Sequence, residues 1–247
     1  MDTLYIIIPA YNEEENIEKV IDDWYPIIEK NHGDGASRLV ILDDGSKDAT
    51  YQMICEAAKS RPLLCPVTKK NGGHGATVLE GYHYALEKGA DYIFQTDSDG
   101  QTLPTEFVPF WEQRKDYDMV IGQRTKRQDG TSRLIVTKVL KAVVAGIFGV
   151  VIEDANAPYR LMNRASLADV VSVVPVQYNL ANVIVSVAYK KLGYRVKSIP
   201  ITFRQRQGGV NSINIKRIIG IGWRALKSFY DINKTINAEV RKRAARR

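Results

Sequence analysis

Three clusters in the chain bring together residue types that can do chemistry. Two aspartates one residue apart, Asp97-Ser98-Asp99, follow an apolar run and precede Gly100. Carboxylates at that spacing after a buried strand can converge on one hard divalent cation, and a Mg2+ or Mn2+ held there neutralises a diphosphate and stabilises it as a leaving group. The plainer alternative is a solvated turn, with Gly100 as its turn residue. A second acidic pair, Asp43-Asp44-Gly45-Ser46, also ends an apolar run. Ser46 as a helix cap and Gly45 as a turn residue would account for it. The same carboxylates could instead accept hydrogen bonds from a nucleobase imide or a ribose hydroxyl. The third cluster, residues 71–76 (NGGHGA), precedes a helical pattern. It is not a dinucleotide fingerprint, because no third glycine follows Gly73-His74-Gly75 and the first strand does not precede it. A glycine-rich approach to a ligand and a tight turn both remain open, and no Walker A lysine motif occurs anywhere.

The surrounding sequence has the rhythm needed to position these loops. Residues 4–8 (LYIII), 38–42 (RLVIL), 66–68, 92–96 (YIFQT) and 119–121 are short apolar runs of the kind buried on both faces of a parallel sheet. Between them lie amphipathic helices. One is capped by Asn12, with Glu15 three residues on, and has Ile17, Val20, Ile21, Trp24 and Ile28 on one face. One is capped by Ser46 and carries Met53, Ile54 and Ala57, and one runs from about Ala76 to Lys88 and closes at Gly89. This alternation predicts an α/β fold, a Rossmann-like, mostly parallel sheet flanked by helices. The clusters YNEE, DDGS and DSDGQ each follow a strand, and ligands of open α/β sheets bind at the carboxyl ends of the strands. In the second half, residues 134–152 are almost entirely apolar, about 178–192 form a long helical pattern, and 195–203 alternate as a strand. From Asn214 onward, Ile215, Ile218, Ile219, Trp223, Leu226, Phe229 and Tyr230 share one helical face, which predicts a C-terminal amphipathic helical appendage. The expected division is a catalytic domain over residues 1–212 and a basic helix and tail over 213–247.

Composition removes several alternatives. The chain has 247 residues, 45% hydrophobic and 26% charged, enough for a full core and unlike a disordered chain. Two cysteines without metal-type spacing point to a reducing, cytoplasmic setting, and three scattered histidines exclude a histidine-built zinc site. The N-terminus has no basic segment before its short apolar run, so it does not read as a signal peptide. The net charge of +7 is unevenly placed. Residues 213–247 hold ten Lys/Arg against Asp231 and Glu239, a net of +8, and the remainder carries −1. A nucleic-acid partner would have to use that tail alone, which has no base-stacking aromatic after Tyr230, so none is expected.

Taken in order, Pro9 to Glu14 (PAYNEE), Asp43 to Thr50 (DDGSKDAT), residues 71–76 and Asp97 to Gln101 (DSDGQ) resemble the family 2 inverting glycosyltransferases of the GT-A fold. Gly122-Gln123-Arg124, residues 154–160 before Leu161-Met162, and Phe203-x-x-Arg206-x-x-Gly209-x-x-Ser212 resemble the dolichyl-phosphate mannose synthase branch, which includes bacterial polyprenyl-phosphate glycosyltransferases. The resemblance spans about residues 4–212. It implies that Pro9, Tyr11, Glu13, Asp44 and Gly75 line the pocket of a UDP- or GDP-sugar donor, with Arg206 clamping the diphosphate. It implies that Asp97 and Asp99 hold Mg2+ or Mn2+, with Gln101 as a third oxygen ligand, and that Arg124 and Arg133 face an acceptor phosphate. Arginine suits phosphate because its planar fork binds oxygens bidentately and keeps its charge. Asp154 stands where hydroxyl-acceptor relatives place a general base. The branch's Ser-Gly before an aromatic and an arginine is here Asn156-Ala157-Pro158-Tyr159-Arg160, and His74 stands where many relatives have lysine.

The branch resemblance predicts transfer to a polyprenyl (dolichyl or undecaprenyl) phosphate at the cytoplasmic membrane face. The alternative is a family 2 enzyme acting on a saccharide or lipid-linked sugar hydroxyl, as in cell-wall, capsule or O-antigen polysaccharide synthesis. No segment reaches the roughly 20 apolar residues of a membrane span, since Lys138 and Lys141 interrupt residues 134–152. The basic amphipathic helix from residue 213 is therefore expected to lie on an anionic membrane surface, making the protein peripheral at the inner face, with a separate membrane-protein partner as another source of an anchor.

Overall fold

The computed structural model describes residues 2–125, 130–204 and 215–245, leaving aside the side chains of 130–138, 215–225 and 227. Strands β1 (Leu4–Ala10), β2 (Arg38–Asp43), β3 (Leu64–Thr68), β4 (Tyr92–Gln95), β5 (Met119–Arg124), β6 (Arg160–Asn163) and β7 (Val196–Ile201) form one sheet in the order β3-β2-β1-β4-β6-β5-β7. β1 is parallel to β2 and β4, β2 to β3, and β5 to β7, while β6 alone runs antiparallel between β4 and β5. The sheet is therefore mostly parallel, as the alternation of short apolar runs predicts. β6 has only four residues and lacks a period of its own, so its strand character comes from the neighbours that pair with it. Because it is reversed, its first residue lies at the same edge as the carboxyl ends of β1, β2, β4 and β5. The loop entering β6 is thereby delivered to the strand-end loops.

Both faces of the sheet are covered. Leu4, Ile6 and Ile8 pack with α1 (Ile17–Lys30), whose Ile17, Val20, Ile21, Trp24 and Ile28 are all buried as their spacing predicts. Each such side chain contributes roughly 1.5–3 kcal/mol on burial. Tyr5, Ile7, Val40 and Ile93 face the other layer, built from α3 (His74–Glu87), α5 (Gly130–Phe148), α6 (Arg164–Val171) and α7 (Ala181–Lys191). Two expected caps move. α1 begins after Asn16, not Asn12, and α2 (Thr50–Ala58) begins after Ala49, not Ser46. Asn12 takes a left-handed φ of 51° and bridges the loops instead: its N–H donates to Ser46 Oγ at 2.9 Å and its Oδ1 accepts from Lys47 N at 2.8 Å. The short side chains thus join two strand-end loops rather than capping helices.

In the last helix, α8 (Ile215–Ala244), the expected apolar stripe divides over its described part: Phe229 is buried while Tyr230 is 61% exposed, and the side chains of Ile215, Ile218, Ile219 and Trp223 lie outside the described residues. Phe229, Ile232 and Ile236 are buried in the core layer, with Phe229 against Phe148 and Tyr178 at ring-centroid distances of 5.4 and 6.5 Å. Asn233 bridges α7 and α5, accepting from Lys191 Nζ at 2.6 Å and donating to Ile147 O at 2.7 Å. Phe229, Ile232 and Ile236 therefore pack on this chain, in the space beside α5 and α7. Among the described residues no helix is long and apolar enough to cross a membrane.

Candidate functional site

The site assembles at the carboxyl edge of the sheet. β4 ends at Gln95, and two residues on Asp97 begins the acidic loop, whose base is closed by a 2.7 Å hydrogen bond between the Thr96 and Thr102 hydroxyls. Gly100 turns the chain at a φ of 68°, and Gln101 N–H donates to Asp99 Oδ1 at 3.1 Å. His74, the first residue of α3, places Nε2 3.0 Å from Asp97 Oδ1. Burial disfavours its imidazolium, but the Asp97 carboxylate, with Asp99 behind it, outweighs that and raises the pKa above 6.5. The donor set fits a small hard cation. Two carboxylates stand on one turn, and among the described residues no cluster of three His, Cys, Asp or Glu forms a closed protein cage. Mg2+ and Mn2+ commonly use one or two carboxylates and take their remaining oxygens from substrate phosphate and water. Gln101, expected as a further oxygen ligand, is buried; its side-chain Nε2 donates to Arg204 O at 2.7 Å and its backbone carbonyl accepts from Arg204 N at 2.9 Å. Its visible work is to tie the acidic loop to the segment after β7.

Asp44 has both carboxylate oxygens engaged within the chain. Oδ1 accepts from Lys69 Nζ at 2.6 Å and Gly72 N at 2.8 Å, and Oδ2 accepts from Gly73 N at 2.8 Å. Its carbonyl accepts from Asn71 Nδ2 at 2.9 Å. Burial alone would raise its pKa, yet Lys69, the Gly72 amide, Thr77 and the Gly73 amide together hold it below 3.8. Asp44 therefore shapes the glycine loop that leads into α3. Asp43 does similar work, accepting from Ser46 N at 3.1 Å and Thr68 Oγ1 at 2.8 Å. Glu13 is buried, accepts from Asn16 Nδ2 at 2.7 Å and receives the start of α1 on its carbonyl. Pro9 is buried within β1, and Tyr11 stands 41% exposed at its end, the one member of this group presenting a ring to solvent. Gly75 owes its missing side chain to the protein: a Cβ there would come within 2.1 Å of Tyr178 O and 2.5 Å of Asn179 O. Lys69, absent from the sequence-based set, follows β3 directly, and only the folded loop reveals that its ammonium reaches Asp44.

On the far side of the acidic loop, Arg124 ends β5 and Asp154 precedes β6. Arg124 donates from Nε to Asp154 Oδ2 and from Nη2 to Asp154 Oδ1, both at 2.7 Å, in a nearly buried bidentate fork. Its guanidinium also lies 4.9 Å from the Phe203 ring centroid. The arginine expected to face an acceptor phosphate is thus neutralised by the carboxylate expected as a base. Arg133 falls on α5 but its side chain lies outside the described residues, as does all of Arg206.

Solved structures share this architecture. Glucosyl-3-phosphoglycerate synthase from Mycobacterium tuberculosis, in complex with Mn2+, UDP-glucose and phosphoglyceric acid, superposes with a TM-score of 0.66 at 19% identity, covering 94% of this chain and 79% of that one. TarS of S. aureus does so at 0.55 and 17% identity, covering 80% and 58%. Among curated relatives, polyprenol monophosphomannose synthase of Mycolicibacterium smegmatis is 28% identical over 85% of this chain and 80% of its own length. An undecaprenyl-phosphate 4-deoxy-4-formamido-L-arabinose transferase of Pseudomonas fluorescens is 26% identical over 87% of this chain, which spans only 62% of that protein. The expectation of a polyprenyl-phosphate acceptor at a membrane face is corrected here. A fold match spanning 94% of the chain is to glucosyl-3-phosphoglycerate synthase, crystallised with the small molecule phosphoglyceric acid, and among the described residues no helix is long and apolar enough to cross a membrane. The glycosyl transferase family 2 model matches residues 5–170, and with the strand-end site on a GT-A sheet this makes the chain a member of glycosyl transferase family 2, a glycosyltransferase enzyme.

Proposed function

We propose that the protein transfers a sugar from a UDP- or GDP-sugar to a hydroxyl of a saccharide acceptor, free or lipid-linked, with inversion at the anomeric carbon. The observation that carries this reading is the Arg124–Asp154 fork, at the same sheet edge as Asp97 and Asp99. It provides an oriented carboxylate for a hydroxyl proton and leaves Arg124 without free charge for a lipid phosphate. In this reading Pro9, Tyr11 and Glu13 shape the nucleoside pocket, and Asp44 and Gly75 build the loop and helix start beside the diphosphate, where Arg206 also acts. Asp97 and Asp99 would hold Mg2+ or Mn2+, which when bound supplies positive charge against the departing diphosphate. The acceptor oxygen attacks the anomeric carbon in line, the bond to the diphosphate oxygen breaks with its electron pair, and Asp154 takes the hydroxyl proton. Arg124 orients Asp154, as a third group orients a base in other proton-transfer sites. We place the catalytic unit at residues 1–212, with 213–247 as its C-terminal helix and tail, and the free cysteines Cys55 and Cys65 accord with a cytoplasmic enzyme.

The test is turnover with a panel of UDP- and GDP-sugars, with Mg2+ or Mn2+, offering saccharides, lipid-linked sugars and a short polyprenyl phosphate as separate acceptors. Nucleoside diphosphate release and the product's anomeric configuration are read together. We expect turnover with a hydroxyl acceptor, inverted product, and loss of at least about 10²-fold in kcat for Asp154→Asn with donor binding kept. Turnover confined to polyprenyl phosphate, or full activity of Asp154→Asn, would overturn the reading.

A further inference from the structure

Arg160 is the largest fully buried side chain of the protein's described residues, at 0% exposure. It opens β6 and sits in register between Gln95 of β4 and Ile121 of β5. Its guanidinium donates to Ala157 O from Nε at 3.2 Å and from Nη2 at 2.5 Å, to Ala155 O at 3.3 Å, to Asn182 O at 3.1 Å and to Ser186 Oγ at 3.3 Å. Ser186 Oγ lies within donating distance of Asn182 O at 2.8 Å and of Ala155 O at 3.0 Å, its single proton shared between the helix and the loop. The loop of residues 154–157, closed by Ala157 N–H on Asp154 O at 3.1 Å, is therefore bound from inside at two of its carbonyls and tied to α7. Around this cation, Tyr82 donates to Gln95 Oε1, and two buried atoms, Gln95 Nε2 and Asn182 Oδ1, have no hydrogen-bond partner among the described residues.

Such a layer is costly. A buried guanidinium stays charged, its desolvation is only partly offset by carbonyl bonds, and each unsatisfied buried amide atom adds a further cost. A hydrophobic side chain would support β6 at least as well. The directional effect of Arg160 is on the loop that carries Asp154. Burial pulls the Arg160 pKa below its ordinary value, and Tyr82, Asp154, Tyr189 and Asp97 partly restore it, so the cation also lies within electrostatic reach of both acidic groups of the site. We propose that Arg160, with Ser186, is the positioning residue for Asp154: it clamps the carbonyls of Ala155 and Ala157 so that the Asp154 carboxylate meets the acceptor hydroxyl at the angle proton transfer requires. This rests on the reading of Asp154 as the base.

The experiment compares Ser186→Ala and Arg160→Lys with the wild type, each in the presence of Asp154 and in an Asp154→Asn background, using the nucleotide sugar and acceptor on which the wild type turns over. Calorimetric binding of UDP with Mn2+ and thermal unfolding are measured on every variant. Ser186→Ala removes one hydroxyl and keeps the inference testable if Arg160→Lys fails to fold. With Asp154 present we expect each variant to lower kcat by about 10- to 100-fold, the range a small misplacement of a reacting group produces, with donor KM and UDP binding within about twofold. In the Asp154→Asn background the same changes should leave the residual rate unaltered, since residues acting through one group are non-additive. Equal losses in both backgrounds, or loss of UDP binding in step with kcat, would show a general architectural role and overturn the proposal. An Asp154→Asn enzyme without activity beside fully active Ser186→Ala and Arg160→Lys enzymes sinks this inference alone. A fully active Asp154→Asn enzyme removes the base assignment, and the inference with it.

Discussion

At the scale of single residues, the site consists of carboxylates with different tasks set by different neighbours. Asp97 and Asp99 sit on a turn where oxygen ligands can gather, Asp154 is held in an arginine fork, and Asp44 is sealed under the glycine loop. The depressed pKa of Asp44 has a consequence for stability. Between 3.8 and its lower folded value the unfolded chain binds a proton that the folded chain does not, so stability rises with pH in that window and falls as pH drops through it. In urea unfolding, the advantage of the wild type over Asp44→Asn should therefore be full near pH 6, shrink below 3.8 and be lost at lower pH. A stability gap unchanged from pH 6 to the acid limit would exclude a pH-linked role for the Asp44–Lys69 pair.

At the scale of elements, two pieces matter most for function. The reversed strand β6 brings its entering loop, and with it Asp154, to the edge where β4 and β5 end. Helix α8 closes the layer of α5 and α7 by burying Phe229, Ile232 and Ile236, while its neighbour Tyr230 is 61% exposed. Phe229→Ala should cost about 3–5 kcal/mol in chemical denaturation, the usual range for emptying a buried phenylalanine site. Tyr230→Ala should change stability by no more than about 0.5 kcal/mol, as exposed positions do. Equal, small effects at both positions would mean that α8 is not packed as described.

At the scale of the whole molecule, the proposed donor and metal would be linked to the stability of the fold. A ligand that binds only the native state stabilises it by RT ln(1 + [L]/Kd), about 2.7 kcal/mol at a hundredfold excess over Kd. UDP together with Mn2+ should raise the melting temperature of the wild type by several degrees, and either alone by less. Asp99→Asn should lose most of that increment while keeping its own ligand-free melting temperature near the wild-type value, because asparagine keeps the side chain's size and an oxygen that can still accept from Gln101 N. An undiminished increment in Asp99→Asn would separate nucleotide binding from the acidic loop.

Much of this molecule is written locally. The buried strands, the amphipathic period of α1, the acidic loops after the strands and their resemblance to a glycosyltransferase family all follow from side-chain type and spacing, since burial on both faces leaves a continuous apolar run and a helix leaves a period of 3.6. The reversed strand β6 could not be read this way, because four residues carry no period and pairing alone makes them a strand. Nor could the partners of charged residues be assigned. Arg124 and Asp154 are 30 positions apart and Lys69 and Asp44 are 25 apart, and only folding brings each cation to its carboxylate. The apolar stripe of α8 is the same in sequence whether it faces a membrane or a groove. The burial of Phe229, Ile232 and Ile236 was settled by the space left beside α5 and α7, a property of the tertiary arrangement that no local pattern records.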